Sequence, residues 1–442
     1  MSTSYFPRWR RVQSTEGVAV QPDEYLPWPQ NLAMGAQHVV AMFGSTILAP
    51  LLMGFDANVA ILMSGVGTLI FFLFVGGRVP SYLGSSFAFI GGVIAVTGYA
   101  GAGPNPNIGV ALGAIIICGL AYTLIGLAVW WASARAGNVD WIDRWMPPVV
   151  TGAIVAVIGL NLAPIAAKGA MGGSTFDALM ALMTVLCVGG IAVYTHGILR
   201  RLLILVGLLL ACVLYGLFSN VLGLGGAPID FSQVASAAWL GLPQFSAPVF
   251  EFQAISVITP VALILVAENL GHVKAVSAMT GRNLDIYLGR AFVGDGVATM
   301  VSGAAGGTGV TTYAENIGVM AATRNYASLI FVVAAGIAIV LGFSPKFGAL
   351  IQTIPGPVLG GMSVVVFGLI AVAGARIWVV NQVDFADSRN LIVVAVTLVL
   401  GAGNFTLQIG VFKLDGIGTA TFGAILLYAL LRGRKTRQEP GQ

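Results

Sequence analysis

The segment Leu202 to Tyr215, LLILVGLLLACVLY, is apolar on every side of any helix it can form, and runs like it recur along the chain. A helix with no polar face is buried in a large core or in a membrane. Apolar residues make up 57% of the chain and charged residues 9%, against roughly 45–50% and 25% in soluble domains. A water-soluble globule is therefore excluded. A transmembrane β-barrel is excluded too, because it needs stretches of about ten residues that alternate apolar and polar. The chain is read as an all-α polytopic membrane protein, whose 59 glycines suit a tightly packed helix bundle.

Apolar runs bounded by Pro, Gly and charge predict helices at 32–52, 57–75, 108–132, 149–166, 176–194, 202–222, 254–272, 328–343, 358–373, 391–402 and 417–431. Three further segments, at 82–97, 291–303 and 304–324, are apolar enough for membrane depth but are short or broken by Gly, Ser and Thr. With them the expectation is fourteen transmembrane segments. Charge agrees with that number. With the amino terminus inside, every Lys and Arg except Lys168, Lys346 and Lys413 falls in an inner loop or tail, the bias that sets membrane orientation. Adding or removing one span would scatter it. Arg8, Arg10, Arg11, Glu16, Asp23 and Glu24 precede any apolar run, unlike the order of a cleaved signal. Residues 1–31 and 432–442 are read as cytoplasmic tails. Cys118, Cys187 and Cys212 lie in apolar runs without close spacing, so neither a disulfide framework nor a metal cluster is expected.

The chain also repeats itself. PVVTGAIVAVIGL (Pro148 to Leu160) and PVLGGMSVVVFGL (Pro357 to Leu369) align without a gap, near the fifth and twelfth spans. A separation of seven spans places the copies in opposite orientation, as in transporters built from a 7+7 inverted repeat. LGSSFAFI (Leu83 to Ile90) in the third span and GVTTYAENIG (Gly309 to Gly318) in the tenth are also seven apart. Both start with small and β-prone residues. Irregular backbone at membrane depth is tolerated only where it is buried in protein or lines a cavity, so the two segments point to a binding site near the midplane.

Glu268, Asp295 and Glu315 lie within apolar spans, where a carboxylate costs a few kcal/mol or more and needs a partner or a proton. Glu268 and His272 stand four apart in VAENLGHV, on one helix face. Either can orient the other or hold its proton, or the pair can be a structural hydrogen bond between helices. It could also be half of a zinc site, but only His38 and His196 remain as nitrogen ligands and there is no HExxH. No metal and no cofactor are expected. His38, beside Gln37 in the first span, is read as a helix-to-helix hydrogen-bonding residue that can also serve a proton path. Asp295, flanked by two glycines in VGDGV, either lines the cavity or ties down the short ninth span. If the broken segments cross, Phe87 and Tyr313 bring aromatic faces, and exposed backbone groups converge with Glu268 and Glu315. That set suits a flat hydrogen-bonding heterocycle, since stacking on a base contributes about 1–3 kcal/mol.

ENIGVMAATR at Glu315 to Arg324 resembles the signature of the nucleobase–ascorbate transporter family, also called nucleobase:cation symporter-2. QHVVAMFGSTILAP (Gln37 to Pro50), LGSSFAFI, AENLGHV (Ala267 to Val273) and the Pro148 repeat extend the resemblance over about residues 28–431, closest to bacterial uracil and pyrimidine permeases. The resemblance implies a core domain in two parts (32–132 and 254–343) and a gate domain in two parts (149–222 and 355–431), with short strands in the third and tenth spans. It also implies that Glu268 binds the base and takes part in proton coupling with His272. Glu315 would accept from ring N–H groups, Phe87 and Tyr313 would flank the ring, and backbone at Phe87 and Ala314 would contact it. His38, Asp295 and Asn316 would support the site. Two positions depart from the pyrimidine pattern. Ala314 stands where uracil permeases can have Gly, and Asp295 where some have Asn, a feature shared with purine-transporting members. The implied activity is proton-coupled import of uracil or a related pyrimidine across the bacterial inner membrane, by a chain that is no enzyme and that the resemblance suggests pairs as a homodimer. The alternatives are a purine permease for xanthine or uric acid, and an anion transporter or channel of the same architecture.

Overall fold

The computed structural model describes residues 4–12, 19–99, 103–136, 140–409 and 412–431. Each apolar run forms a helix, and most run longer than the sequence predicts. The helices are Trp28–Met53, Ala57–Phe74, Ile108–Ala136, Pro148–Met171, Thr175–Tyr194, Leu203–Gly216, Val261–Thr280, Ser328–Gly342, Gly356–Val380, Ser388–Ala402 and Gly416–Leu430. Leu203–Gly216 continues through a wider turn to Val221, and Val261–Thr280 is preceded by Phe252–Ile258, so that 252–280 is one long element. Among the described residues, eight elements are able by length and composition to cross a membrane on their own. Ser328–Gly342 reaches that length only with Pro345–Gln352, across an 82° bend, while Ser388–Ala402 and Gly416–Leu430 are apolar but shorter.

Local chemistry sets several helix ends. Asp56 caps Ala57–Phe74 by accepting from Val59 N at 2.9 Å, and Asp415 caps Gly416–Leu430 by accepting from Gly418 N at 2.7 Å. Pro148 and Pro357 each sit in the first turn of their helix, where a missing N–H costs nothing. The two copies of the sequence repeat, in Pro148–Met171 and Gly356–Val380, pack closely against each other. A Cβ added at Gly152 would meet Trp378, and one added at Gly169 would meet Gly360, so the partner's numbers fall as these rise. The two helices are therefore antiparallel.

The three segments expected to be broken resolve into two patterns. Leu288–Ala304 is a continuous helix. The other two each place a three-residue strand before a short helix: Leu83–Ser85 before Phe89–Thr97, and Val310–Thr312 before Ala314–Thr323. The strands pair antiparallel, with Leu83 opposite Thr312, Gly84 opposite Thr311 and Ser85 opposite Val310.

The described residues of the amino-terminal segment, read above as a cytoplasmic tail, are held against the helix ends. Tyr5 Oη donates to Leu73 O at 2.7 Å, and Trp9 Nε1 to Ser328 Oγ at 3.1 Å. Val20 pairs with the backbone of Arg324 and Tyr326, and Asp23 forms an ion pair with Arg282 at 2.5 Å. Residues 432–442, expected to be the second tail, lie outside the described residues.

Candidate functional site

The site is built on the strand crossing. LGS and VTT combine small and β-branched residues that hold an extended backbone readily, and each strand supplies the backbone partners that the other would lack in a bilayer. The pairing is extended by Ser86 N to Gly309 O at 2.9 Å and by Tyr313 N to Tyr82 O at 3.0 Å. A hydroxyl secures each strand: Thr68 Oγ1 accepts from Leu83 N at 2.9 Å, and Thr299 Oγ1 accepts from Val310 N at 3.3 Å. Glycine is required where the strand passes the Tyr313 ring, because a Cβ at Gly84 would sit 2.5 Å from it. Tyr313 Oη donates to Ser85 O at 2.8 Å. The Tyr313 side chain is thus a buried brace across the crossing, with its ring laid on Gly84.

Each short helix starts within a few residues of its strand, so a helix N-terminus lies at either end of the antiparallel crossing, with first-turn N–H groups that have no acceptor inside the helix. Ala314 opens one of these helices and is exposed, as are Gly318, Ala321 and Ala322 farther along it. A strip of small residues therefore leads from the crossing towards Arg324. Glu315, in the first turn, is partly buried and accepts a hydrogen bond from Ser45 Oγ on Trp28–Met53. The next residue, Asn316, is fully buried and donates to His38 Nδ1 at 3.0 Å and to His38 O at 3.1 Å. With Nδ1 accepting, that bonding assigns the His38 proton to Nε2. The His38 ring packs on Phe331, centroid to centroid 4.7 Å. His38 and Asn316 thus lock the Glu315 helix to the first span.

Val261–Thr280 carries Glu268 beside the crossing, with Oε2 buried and without a hydrogen-bonding partner. The Glu268–His272 spacing allows a mutual pair or a structural hydrogen bond to another element, and His272 Nδ1 is hydrogen-bonded to Thr312 Oγ1 at 2.8 Å. His272 thereby ties this helix to the second strand, and Glu268 Oε2 stays uncommitted. Phe87 follows the first strand and meets Phe367 of Gly356–Val380 edge to face, 6.0 Å between centroids. Asp295 lies behind Glu268, fully buried between Tyr122 and Asn269. Ser45, Thr312, Tyr122 and Asn269 carry no separate signal in the sequence. Ser45 and Asn269 do fall inside the QHVVAMFGSTILAP and AENLGHV motifs, where a polar residue in an apolar span is the available hint.

Residues 29–410 match the model of a family described as the Permease family. The chain belongs to this family, the nucleobase:cation symporter-2 permeases. It is 66% identical over 427 residues to "Putative pyrimidine permease RutG" of Escherichia coli (strain K12), covering 96% of this chain and 95% of that one. It is 40% identical to a uracil permease of Paenibacillus larvae, with 92% and 95% covered, and 38% identical to a uracil permease of Bacillus caldolyticus, with 93% and 94% covered. Among solved structures, the transmembrane domain of the cyanobacterial bicarbonate transporter BicA is similar with a TM-score of 0.59 at 18% identity, covering 85% of this permease and 96% of that chain. SLC26A9 is similar with a TM-score of 0.62 at 11% identity, covering 90% and 65%. At these identities the likeness concerns the fold alone. This permease is a multi-pass membrane protein with the transporter fold of those structures.

Proposed function

We propose that this permease is a proton-coupled importer of uracil or a related pyrimidine in the bacterial inner membrane, with Glu268 binding the base and exchanging the coupled proton. The strand crossing carries the reading: Phe87 follows one strand, Ala314 and Glu315 open the helix after the other, and the helix bearing Glu268 is tied to the second strand through His272. Uracil has ring N–H donors and carbonyl acceptors on one flat ring. Carboxylates at 268 and 315 accept the former, and backbone N–H groups at Phe87 and Ala314 donate to the latter. Phe87 covers a face of the ring, and Tyr313 sets the floor by bracing Gly84 and Ser85. His272 assists by holding Thr312, which leaves Glu268 Oε2 free for base or proton. The pyrimidine and uracil names of the relatives favour the same substrate class.

The chain crosses the membrane fourteen times in this reading, as a 7+7 inverted repeat with both termini cytoplasmic. Helix partners support it, because they exchange under a shift of seven spans. Ala57–Phe74 packs on Ser328–Gly342 as Leu288–Ala304 packs on Ile108–Ala136, and Thr175–Tyr194 packs on Gly356–Val380 as Ser388–Ala402 packs on Pro148–Met171. Thr68 and Thr299 secure the two strands in the same symmetric way. Residues 32–132 and 254–343 form the core that holds the base, and 149–222 and 355–431 form the gate against which it moves.

Uptake of labelled uracil into cells that lack other permeases tests the function, with unlabelled uracil, thymine, xanthine, uric acid and bicarbonate as competitors. Competition by uracil and thymine is expected. Preferential competition by xanthine or uric acid would move the chain to the purine permeases, which Asp295 resembles. Competition by bicarbonate would favour an anion transporter, a reading that two carboxylates at the site oppose.

A further inference from the structure

Asp295, Asn269 and Tyr122 are each fully shielded from solvent and come from three helices: Leu288–Ala304, Val261–Thr280 and Ile108–Ala136. Asn269 Nδ2 donates to Asp295 Oδ2 at 2.7 Å and to Tyr122 Oη at 3.0 Å. Tyr122 Oη lies 3.3 Å from both Leu265 O and Asp295 Oδ2. Two atoms are left over. Asp295 Oδ1 and Asn269 Oδ1 are both buried, both acceptors, and both without a partner, although they belong to side chains already joined by a hydrogen bond. No Lys or Arg is among the groups bonded to Asp295.

Glycines on either side of Asp295 seal the position. A Cβ at Gly294 would meet Phe74 and Phe71 at 3.1–3.2 Å, and one at Gly296 would meet Gly119 O at 2.8 Å. An ionised carboxylate here would keep one oxygen bare, beyond reach of water or a cation. A single proton on Asp295 Oδ1 supplies the donor that Asn269 Oδ1 lacks and removes both deficits.

We propose that Asp295 is held as a neutral carboxylic acid that closes an acid–amide pair with Asn269, and that this pair sets the rotation of the helix bearing Glu268. Asn269 follows Glu268 by one residue, about 100° around the helix. Pinning Asn269 towards Asp295 and Tyr122 turns Glu268 towards the strand crossing. Asp295 is then a positioning residue that keeps its proton while Glu268 exchanges one. The titratable groups on the helices packed around it are Cys118, Tyr122 and Arg135 on Ile108–Ala136 and Glu268, His272 and Lys274 on Val261–Thr280, its own helix adds Arg290, and Ala57–Phe74 and Val310–Thr312 contribute none; of these only Tyr122 is bonded to Asp295.

The inference rests on Glu268 as the coupling group, and its test separates the two ideas. Asp295→Leu leaves the Asn269 amide with Tyr122 as its one partner and its Oδ1 bare, and should raise the KM for uracil about tenfold or more. Asp295→Asn presents an N–H where the acid presents an O–H, so it should rescue uptake with the wild-type pH profile. The swap Asn269→Asp with Asp295→Asn should also be active. If Asp295→Asn is stably folded yet loses accumulation or shifts the pH profile, Asp295 exchanges its proton and the proposal is overturned. Infrared spectroscopy of the purified protein needs no substrate: the carbonyl stretch of a protonated carboxylic acid should be present throughout the pH range of uptake and missing from Asp295→Asn. Its absence from the wild type overturns the proposal even if every variant misfolds. Wild-type protein that shows this band but fails to take up uracil would refute the proposed substrate instead.

Discussion

Gly84→Ala tests whether the strand crossing and Tyr313 form one mechanical unit. The added Cβ would lie 2.5 Å from Tyr313 Cε2 and Cζ and 2.7 Å from Thr46 Oγ1, whereas carbon atoms in contact sit about 3.5–4.0 Å apart. The ring must therefore retreat by about 1 Å. It cannot do so freely, because Tyr313 Oη is tied to Ser85 O at 2.8 Å, one residue along the same strand. Overpacking of this kind costs about 1–3 kcal/mol, and a lost buried hydrogen bond adds about 1 kcal/mol. Glu315 is two residues from Tyr313, so the shift reaches the proposed substrate contact, where a displacement of about 1 Å can cost on the order of a hundredfold. The variant should melt earlier in detergent and show a uracil KM raised about tenfold or more. In a Tyr313→Val background the clash with the ring is gone and the contact with Thr46 Oγ1 remains, so adding Gly84→Ala should then cost less further stability than it does beside the ring. If the two losses of stability simply add, ring and strand are uncoupled and the reasoning is wrong.

Glu268→Gln removes the uncommitted titrating carboxylate and should abolish concentrative uptake while leaving the protein in the membrane; uptake against a gradient by this variant would assign the proton elsewhere. Glu315→Gln places a donor opposite the ring N–H, leaving both unpaired for about 1–3 kcal/mol, so uracil uptake should fall and residual activity should shift towards xanthine. An unchanged ratio of uracil to xanthine uptake would remove Glu315 from specificity. The segment 225–252 contains no Lys or Arg, and Ser236 within it is exposed. Ser236→Cys on a cysteine-free background should react with an impermeant maleimide on intact cells, and labelling only after permeabilisation would contradict the fourteen-span reading.

Much of this arrangement is legible in the sequence because membrane depth leaves few choices. Poor helix formers in LGSS and GVTT had to find backbone partners, and each other's strand was the available solution. Glu268 and Glu315 stood out because carboxylates are rare in apolar spans. The partners were not legible. Helical spacing puts His272 on the face of Glu268 but does not choose its rotamer, and the strand register, which no local rule specifies, brought Thr312 within 2.8 Å of its ring. The same register laid the Tyr313 ring on Gly84, so an aromatic expected to flank the substrate serves first as a brace. The amino-terminal segment reads as a cytoplasmic tail, and nothing in its charge pattern signals that Tyr5, Trp9 and Val20 hold it onto the helix ends.

That segment also bears on how motion in this permease can be watched. Its anchors at Leu73, Arg282, Arg324 and Ser328 come from both halves of the proposed core. It therefore joins the two halves of the proposed core like a rivet plate and, in the proposed mechanism, would travel with the core. A fluorophore on this plate, paired with one on the gate, becomes a distance gauge for the transport stroke that leaves the strand crossing untouched. Because the two halves of the core also pack directly on each other, through Ala57–Phe74 on Ser328–Gly342 and Leu288–Ala304 on Ile108–Ala136, cutting the plate away should remove the gauge and leave the core assembled.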